Sequence, residues 1–102
     1  MAIGGANPLW NDALDKHTEQ PYHVMIGGGD QLYCDSLLKE PEMIEWLGIT
    51  SVQEREKIQC KPHWTQAIER YYFNRYCTWF SQGTYGQALA AIPSINMWDD
   101  HE

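Results

Sequence analysis

Residues 22–26 read YHVMI and are followed by three glycines at 27–29, and this stretch decides the fold class. The run is short and apolar, with the β-branched Val24 at its centre, and the glycines end it abruptly. A run without polar alternation predicts a strand that is buried on both faces, as in parallel sheets. Glycines at its end allow positive backbone φ angles or a close approach to a ligand.

A second run of the same kind, SINMW at residues 94–98, follows Pro93. Helical patterns fill the interval between the two runs, and strands separated by helices predict a parallel crossover in an α/β fold. A doubly covered parallel sheet normally has several more strands than these two. We therefore expect residues 1–102 to form a single partial domain, the central segment of a larger one.

Five helical segments are predicted from capping residues and from apolar spacing near 3.6 residues. The longest is expected from Thr65 to about Ser81, where an aromatic stripe indicates a core-facing side. In chain order the segments are a helix from Asn7 and Pro8 to about Lys16, a short helix opened by Pro41 and closed by Gly48, a turn or helix capped by Ser51 and Glu54, the long helix, and a short piece at GQALAAI.

The charge pattern excludes several classes of partner. Fourteen acidic residues against seven basic ones give a formal net charge of −7, and the basic residues are scattered along the chain. Nucleic-acid binding requires a basic stripe, so we expect no nucleic acid as a macromolecular partner. No stretch has the basic start of a targeting signal or the roughly 18 apolar residues of a membrane span, so we expect no membrane partner.

The cysteines bear on the cellular compartment. Cys34, Cys60 and Cys77 have the spacing of neither a zinc site nor a dense disulfide framework. They are therefore expected to be reduced thiols, which are typical of cytoplasmic proteins. Cytoplasmic localisation is the prediction.

Each predicted strand breaks suddenly into acidic residues. The first is followed by Asp30, Tyr33 and Asp35, and the second by DDHE at residues 99–102. In open α/β sheets the carboxyl ends of neighbouring strands meet, so the two clusters are expected at one edge. Carboxylates that converge away from water repel one another unless protons or cations intervene. A bound metal ion is the natural counter-charge.

The residue types in the clusters indicate the kind of ion. Oxygen-rich clusters with one imidazole suit hard or borderline ions such as Mg, Ca, Mn or Fe, and a tyrosine oxygen favours ferric iron. The two stretches lack the residue spacing of an EF-hand, of a phosphate loop and of a metalloprotease helix. For either cluster taken alone, a solvated helix cap is the alternative interpretation.

The two clusters also carry a family resemblance. GDQLY at residues 29–33 and WDDHE at residues 98–102 resemble the GDxxY and WDDH[DE] blocks of PhoD-like phosphatases. These alkaline phosphatase D type enzymes form a branch of the calcineurin-like metallophosphoesterases, and the chain is similar to the fungal cytosolic members. PLWNDAL and PEMIEWLGI look family-like as well, so the resemblance covers nearly the whole chain. It implies a metallophosphatase β-sandwich flanked by helices.

The resemblance implies a role for each residue of the clusters. Asp30 would bridge two metal ions, and Tyr33 would bind the ferric-type ion. Asp100 falls at the position of a ligand to the second ion, and His101 at that of the catalytic histidine, which contacts the leaving group or the transferring phosphoryl. Supporting roles, which orient the histidine or its loop, fall to Asp35, Asp99 and Glu102.

The same resemblance implies metal-dependent hydrolysis of phosphomonoesters or phosphodiesters at a binuclear centre, whose two ions would be drawn from Fe, Ca, Mn and Mg. The family's upstream ligand block and its downstream GH-x-H loop have no counterpart in the chain. We therefore expect the segment to need the rest of its parent domain and to be inactive alone. The alternative hypothesis is a non-catalytic, acidic and aromatic-rich protein-interaction module with DDHE as a charged tail.

Overall fold

Most of the described residues are helical, and two short strands follow the first and the last helix. The computed structural model describes residues 8–102, so the predicted cap at Asn7 lies outside the described residues. In chain order the elements are α1 (Pro8–Glu19), β1 (Met25–Gly27), a 3₁₀ helix (Asp35–Lys39), α2 (Pro41–Leu47), α3 (Val52–Lys57), α4 (Pro62–Ser81), α5 (Gly83–Ala91) and β2 (Ser94–Asn96). None of these helices is both long enough and apolar enough to span a membrane.

The helix boundaries follow the capping residues. Proline occupies the first turn of α2 and of α4, where its missing N–H costs no helical hydrogen bond. Gly48 caps the C-terminus of α2, and the Ser51 hydroxyl accepts from the Glu54 backbone N–H at 3.3 Å where α3 begins. The predicted roles of Pro41, Gly48 and Ser51 are confirmed. The starts of two helices differ from the prediction, because α4 begins at Pro62 rather than at Thr65 and α5 begins at Gly83 rather than at Gly86.

The two strands pair in parallel, as predicted, but they are not buried. The sheet is formed by β1 and β2, and Ile26 lies opposite Ile95. The prediction that residues 22–26 and 94–98 are buried on both faces is wrong in this structure, because Ile26 is 78% exposed and Ile95 is 67% exposed. A parallel strand is buried only when a layer covers each face.

The helices pack against one another instead of covering the sheet. α1 and α4 pack against α5, and α2 packs against α4. The exposed strands are therefore a consequence of how the described helices associate. The fold is a helix-rich α/β arrangement with a two-stranded parallel sheet. The β-sandwich implied by the family resemblance remains a prediction.

The core is contributed by α2, α4, α5 and the loop after β1. Its buried side chains are Leu32, Cys34, Met43, Trp64, Ala67, Ala88 and Ile92. The aromatic stripe predicted on α4 continues this packing, since Phe80 contacts Tyr85 of α5 and Tyr85 contacts Trp10 of α1, with ring centroids 5.8 and 4.9 Å apart. The stripe is therefore a packing face between helices, as expected.

Glu45 ties α2 to the start of α4. Its carboxylate lies 2.7 Å from His63 Nε2, 3.0 Å from Lys61 Nζ and 3.2 Å from Trp64 Nε1. The hydrogen bond with His63, followed by those with Lys61 and Trp64, lowers the pKa of Glu45 from 4.5 to about 2. The charged form of Glu45 is therefore favoured by the folded chain.

The contacts of Glu45 should weaken in acid. Because its folded-state pKa lies below the ordinary value, their contribution is complete above pH 4.5 and is lost as the pH falls towards about 2. Glu45→Gln does not titrate and should remove this part of the acid sensitivity. Urea midpoints of the full-length protein at about pH 5 and about pH 3 measure it, with Glu69→Gln as the control on α4. An equal fall in Glu45→Gln and in the unmodified protein would contradict the prediction.

Candidate metal centre

The loops that follow the two strands lie side by side. Gly27 pairs with Asn96 at the end of the sheet, and the Met97 backbone N–H donates to the Gly27 C=O at 2.8 Å. Each acidic cluster begins three residues later, at Asp30 and at Asp99. Parallel pairing therefore brings residues 28–35 and 97–102 to the same edge of the sheet.

Gly29 and Asp30 set the path of the first loop. Both have positive φ angles, 119° at Gly29 and 57° at Asp30. The first angle is favourable only for glycine, whereas aspartate is one of the few residue types that tolerate the second. Asp99 fills the space beside Gly29, where a Cβ would lie 2.7 Å from a carboxylate oxygen. The missing side chain of Gly29 therefore allows Asp99 to approach the first loop.

Gly29→Ala should disturb this loop much more than Gly28→Ala. At position 29 alanine meets the Asp99 carboxylate and an unfavourable φ, and the backbone strain alone costs about 1–3 kcal/mol. A Cβ at Gly28 meets no atom within 4 Å. Thermal unfolding of the full-length protein measures the difference, and equal stability of the two variants would contradict the described loop.

Asp30 and Asp99 form a pair of neighbouring carboxyl groups where the two loops meet. Loss of water contact raises the pKa of Asp30, and the hydrogen bond to Asp99 raises it further. The hydrogen bond with Glu102 lowers the pKa of Asp99 to about 2, and so does the His101 backbone N–H, which donates to Asp99 Oδ1 at 2.9 Å. The two shifts run in opposite directions, as expected where one negative charge disfavours a second one beside it. A cation bound here would meet carboxylate oxygens from both loops.

Tyr33 and His101 lie next to the carboxyl pair, with ring centroids 5.0 Å apart. Burial raises the pKa of the Tyr33 phenol, and the charge of Asp30 raises it further. His101 Nδ1 contacts the two carboxylate oxygens of Asp35 at 2.9 and 3.0 Å. This hydrogen bond raises the pKa of His101. Asp35 therefore fixes the orientation of the imidazole ring.

Asp100 lies at the solvent-exposed edge of the second loop. Its side chain is 87% exposed, and its Oδ2 atom is 3.9 Å from His101 Nε2, beyond hydrogen-bond range. The sequence motifs assign Asp100 to the second ion and give Asp99 a supporting role. The structure places Asp99 against Asp30 and leaves Asp100 at the solvent edge. Of the two, Asp99 is the carboxylate that lies beside Gly29 and Asp30.

Gln31 and Glu102 bind the two loops together through backbone groups. Gln31 Oε1 accepts from the Gly29 N–H at 2.6 Å, and its Nε2 donates to the Met97 C=O at 2.9 Å. Glu102 Oε1 accepts from the Gln31 N–H at 2.7 Å, and Oε2 accepts from the Asp99 N–H at 2.8 Å. Glu102 thus supports the loop that carries Asp99. Sequence patterns do not single out Gln31, whose only signal is its place inside GDQLY.

Comparison with known proteins identifies the family. The family described as PhoD related phosphatase matches residues 1–102. The chain belongs to the PhoD-related phosphatase family. This membership confirms the resemblance carried by the GDQLY and WDDHE blocks.

One relative of this PhoD-related chain is an uncharacterized protein of Saccharomyces cerevisiae, which is 34% identical over 109 residues. The alignment covers 92% of the chain and 16% of the yeast protein. The chain therefore spans less than a fifth of the length of the curated relative that it matches. No solved structure matches it.

The residues of this PhoD-related chain fit part of a metal centre. Carboxylate, phenol and imidazole groups suit hard and borderline ions, and a cation would relieve the repulsion within the carboxyl pair. Within residues 8–102, no three His, Cys, Asp or Glu side chains come together in an arrangement that could hold a metal ion.

Proposed function

We propose that the chain is a segment of a metal-dependent phosphoric ester hydrolase that acts on phosphomonoesters or phosphodiesters at a binuclear centre. The contact between the two acidic blocks of a PhoD-related family member carries the proposal, since Asp99 packs beside Gly29 and His101 Nδ1 lies 2.9 Å from Asp35 Oδ1. When bound, the two ions, drawn from Fe, Ca, Mn and Mg, would supply Lewis-acid chemistry and activate water.

The proposed ligands are oxygen atoms of the two strand-end loops. Asp30 would bridge the ions, Tyr33 would bind one of them and Asp100 the other, as the family motifs imply. Asp99 adds a carboxylate beside Asp30 that would further balance the charge of the ions. The ions would dominate the local field, so the net charge of −7 does not oppose binding of an anionic phosphate ester.

His101 is the proposed general acid. The hydrogen bond from Nδ1 to Asp35 leaves Nε2 as the ring atom that can donate a proton to substrate. The same bond raises the pKa of His101, which favours the protonated imidazole closer to neutral pH. Nε2 would donate this proton to the leaving oxygen as the ester bond breaks, while Asp35 keeps the ring in orientation.

The proposal includes a cellular compartment for the protein. Cys34, Cys60 and Cys77 are free thiols, which supports a reducing compartment such as the cytoplasm.

We expect the segment alone to be inactive, because its donors form only part of a centre and the rest of the parent domain would supply the others. The family match covers the whole chain, so the alternative of a non-catalytic interaction module is not favoured.

The test is hydrolysis of p-nitrophenyl phosphate and bis-p-nitrophenyl phosphate by the full-length protein. We expect activity that EDTA removes and that Mn²⁺, Fe²⁺, Ca²⁺ or Mg²⁺ restores. Turnover that EDTA leaves unchanged would contradict the proposal, and so would a lack of turnover with every ion.

A further inference from the structure

We infer that Arg75, on α4, is a positioning residue for the two strand-end loops, and its role in catalysis rests on the proposed function. Arg75 lies 42 residues from Tyr33 in the sequence, yet its Nε donates to the Tyr33 C=O at 2.8 Å. The long helix α4 lies between the two motif blocks in the sequence, and through Arg75 it contacts the first block, GDQLY.

The peptide unit between Tyr33 and Cys34 is held on both sides. Arg75 binds its C=O, and its N–H donates to the His101 C=O at 2.7 Å. The C=O and N–H of a trans peptide point in opposite directions, and the described residues contain no cis peptide bond. The unit therefore lies between α4 on one side and the loop after β2 on the other.

The guanidinium of Arg75 is itself held in place. It lies 4.9 Å from the centre of the Trp79 ring, one helical turn further along α4, where a cation–π contact is favourable. An ordered donor at this point selects one orientation of the Tyr33–Cys34 peptide unit.

The orientation of this peptide unit affects both motif blocks. Tyr33, which supplies its C=O, carries the phenol. The N–H of Cys34 is bonded to the His101 C=O. Without the Arg75 donor, the two rings should occupy a wider range of positions. Groups that orient metal ligands in this way commonly change metal affinity about ten- to a hundredfold, so weaker Mn²⁺ binding is the expected consequence.

The first test measures the loop without metal in the full-length protein. Arg75→Met removes the donor, and Arg70→Met, which loses a contact of 3.2 Å to Glu42, is the control for losing one charge from α4. Hydrogen–deuterium exchange of the peptide that contains Cys34 should be about tenfold faster in Arg75→Met than in Arg70→Met, with exchange in α1 unchanged. Arg75→Lys keeps a donor and should recover part of the protection.

The second test measures Mn²⁺ binding to the same proteins by isothermal titration. The dissociation constant should rise about ten- to a hundredfold in Arg75→Met and less in Arg75→Lys. Faster exchange in α1 would show that Arg75→Met unfolds. In that case, exchange at Cys34 and the Mn²⁺ dissociation constant are compared between Arg75→Lys and Arg70→Met instead.

The outcomes separate this inference from the proposed function. Equal exchange at Cys34 in the Arg75 variants and in Arg70→Met overturns the inference, whatever the result with Mn²⁺. Faster exchange in a protein that binds no Mn²⁺ in any form supports the positioning role and counts against the proposed function alone.

Discussion

Asp30→Asn in the full-length protein is expected to lower kcat/KM for phosphate ester hydrolysis at least about a hundredfold, because even groups beside a metal ligand are worth about ten- to a hundredfold. Asparagine keeps the size of the side chain and tolerates the φ of 57° at this position. What it removes is the charge that the proposed bridging role requires. Initial rates with p-nitrophenyl phosphate at saturating Mn²⁺ measure the effect.

The same substitution separates a metal site from a structural one. Without metal, loss of water contact and the neighbouring Asp99 raise the pKa of Asp30, so a neutral asparagine should leave the thermal midpoint unchanged or higher. Asp15→Asn, at an exposed position of α1, is the matched control and should change neither activity nor stability. Full activity in Asp30→Asn would reject the proposed function, and a lower metal-free midpoint would indicate a structural role.

Leu32→Ala is expected to have the largest effect on stability. Leu32 is 0% exposed in the loop after β1. Truncation of a fully buried leucine removes apolar burial and leaves a cavity, at a cost of about 2–5 kcal/mol in the free energy of unfolding. The loop that presents Asp30 and Tyr33 should therefore lose its anchor to the core. Urea unfolding of the full-length protein measures the loss.

Leu38→Ala is the matched control for this substitution. Its side chain is 51% exposed, and surface substitutions usually change stability by no more than about 0.5 kcal/mol. A loss in Leu32→Ala that does not exceed the loss in Leu38→Ala would contradict the placement of Leu32 in the core.

The helices could be predicted because local signals specify them, and the parallel pairing because helices separate the two strands in the sequence. Gly48 and Ser51 act through hydrogen bonds within a few residues of their own position, and Pro41 acts through its fixed φ and its missing N–H. Burial of the strands could not be predicted in the same way. The apolar composition of β1 and β2 indicates that Ile26 and Ile95 favour burial, but it carries no information about which element covers them.

The location of the candidate site was easier to predict than the place of each side chain in it. Parallel strands end at one edge, which is enough to bring Asp30 near DDHE. The positions of Asp99 and Asp100 depend on the backbone path of the second loop, which Glu102 supports through the Asp99 N–H. Arg75 has no local signal, because a single basic residue on a helix is usually a solvated charge.

The parallel pairing of β1 with β2 has a consequence for synthesis on the ribosome. Gly27 pairs with Asn96, so the first strand emerges well before its partner exists. At about 5–20 residues per second, translation of the intervening segment takes several seconds. During that interval the unpaired edges of β1 are open to other nascent chains. Helices form in microseconds from local contacts, so α1 to α4 can form in that time, but they leave Ile26 of β1 exposed and β1 stays open until β2 is made.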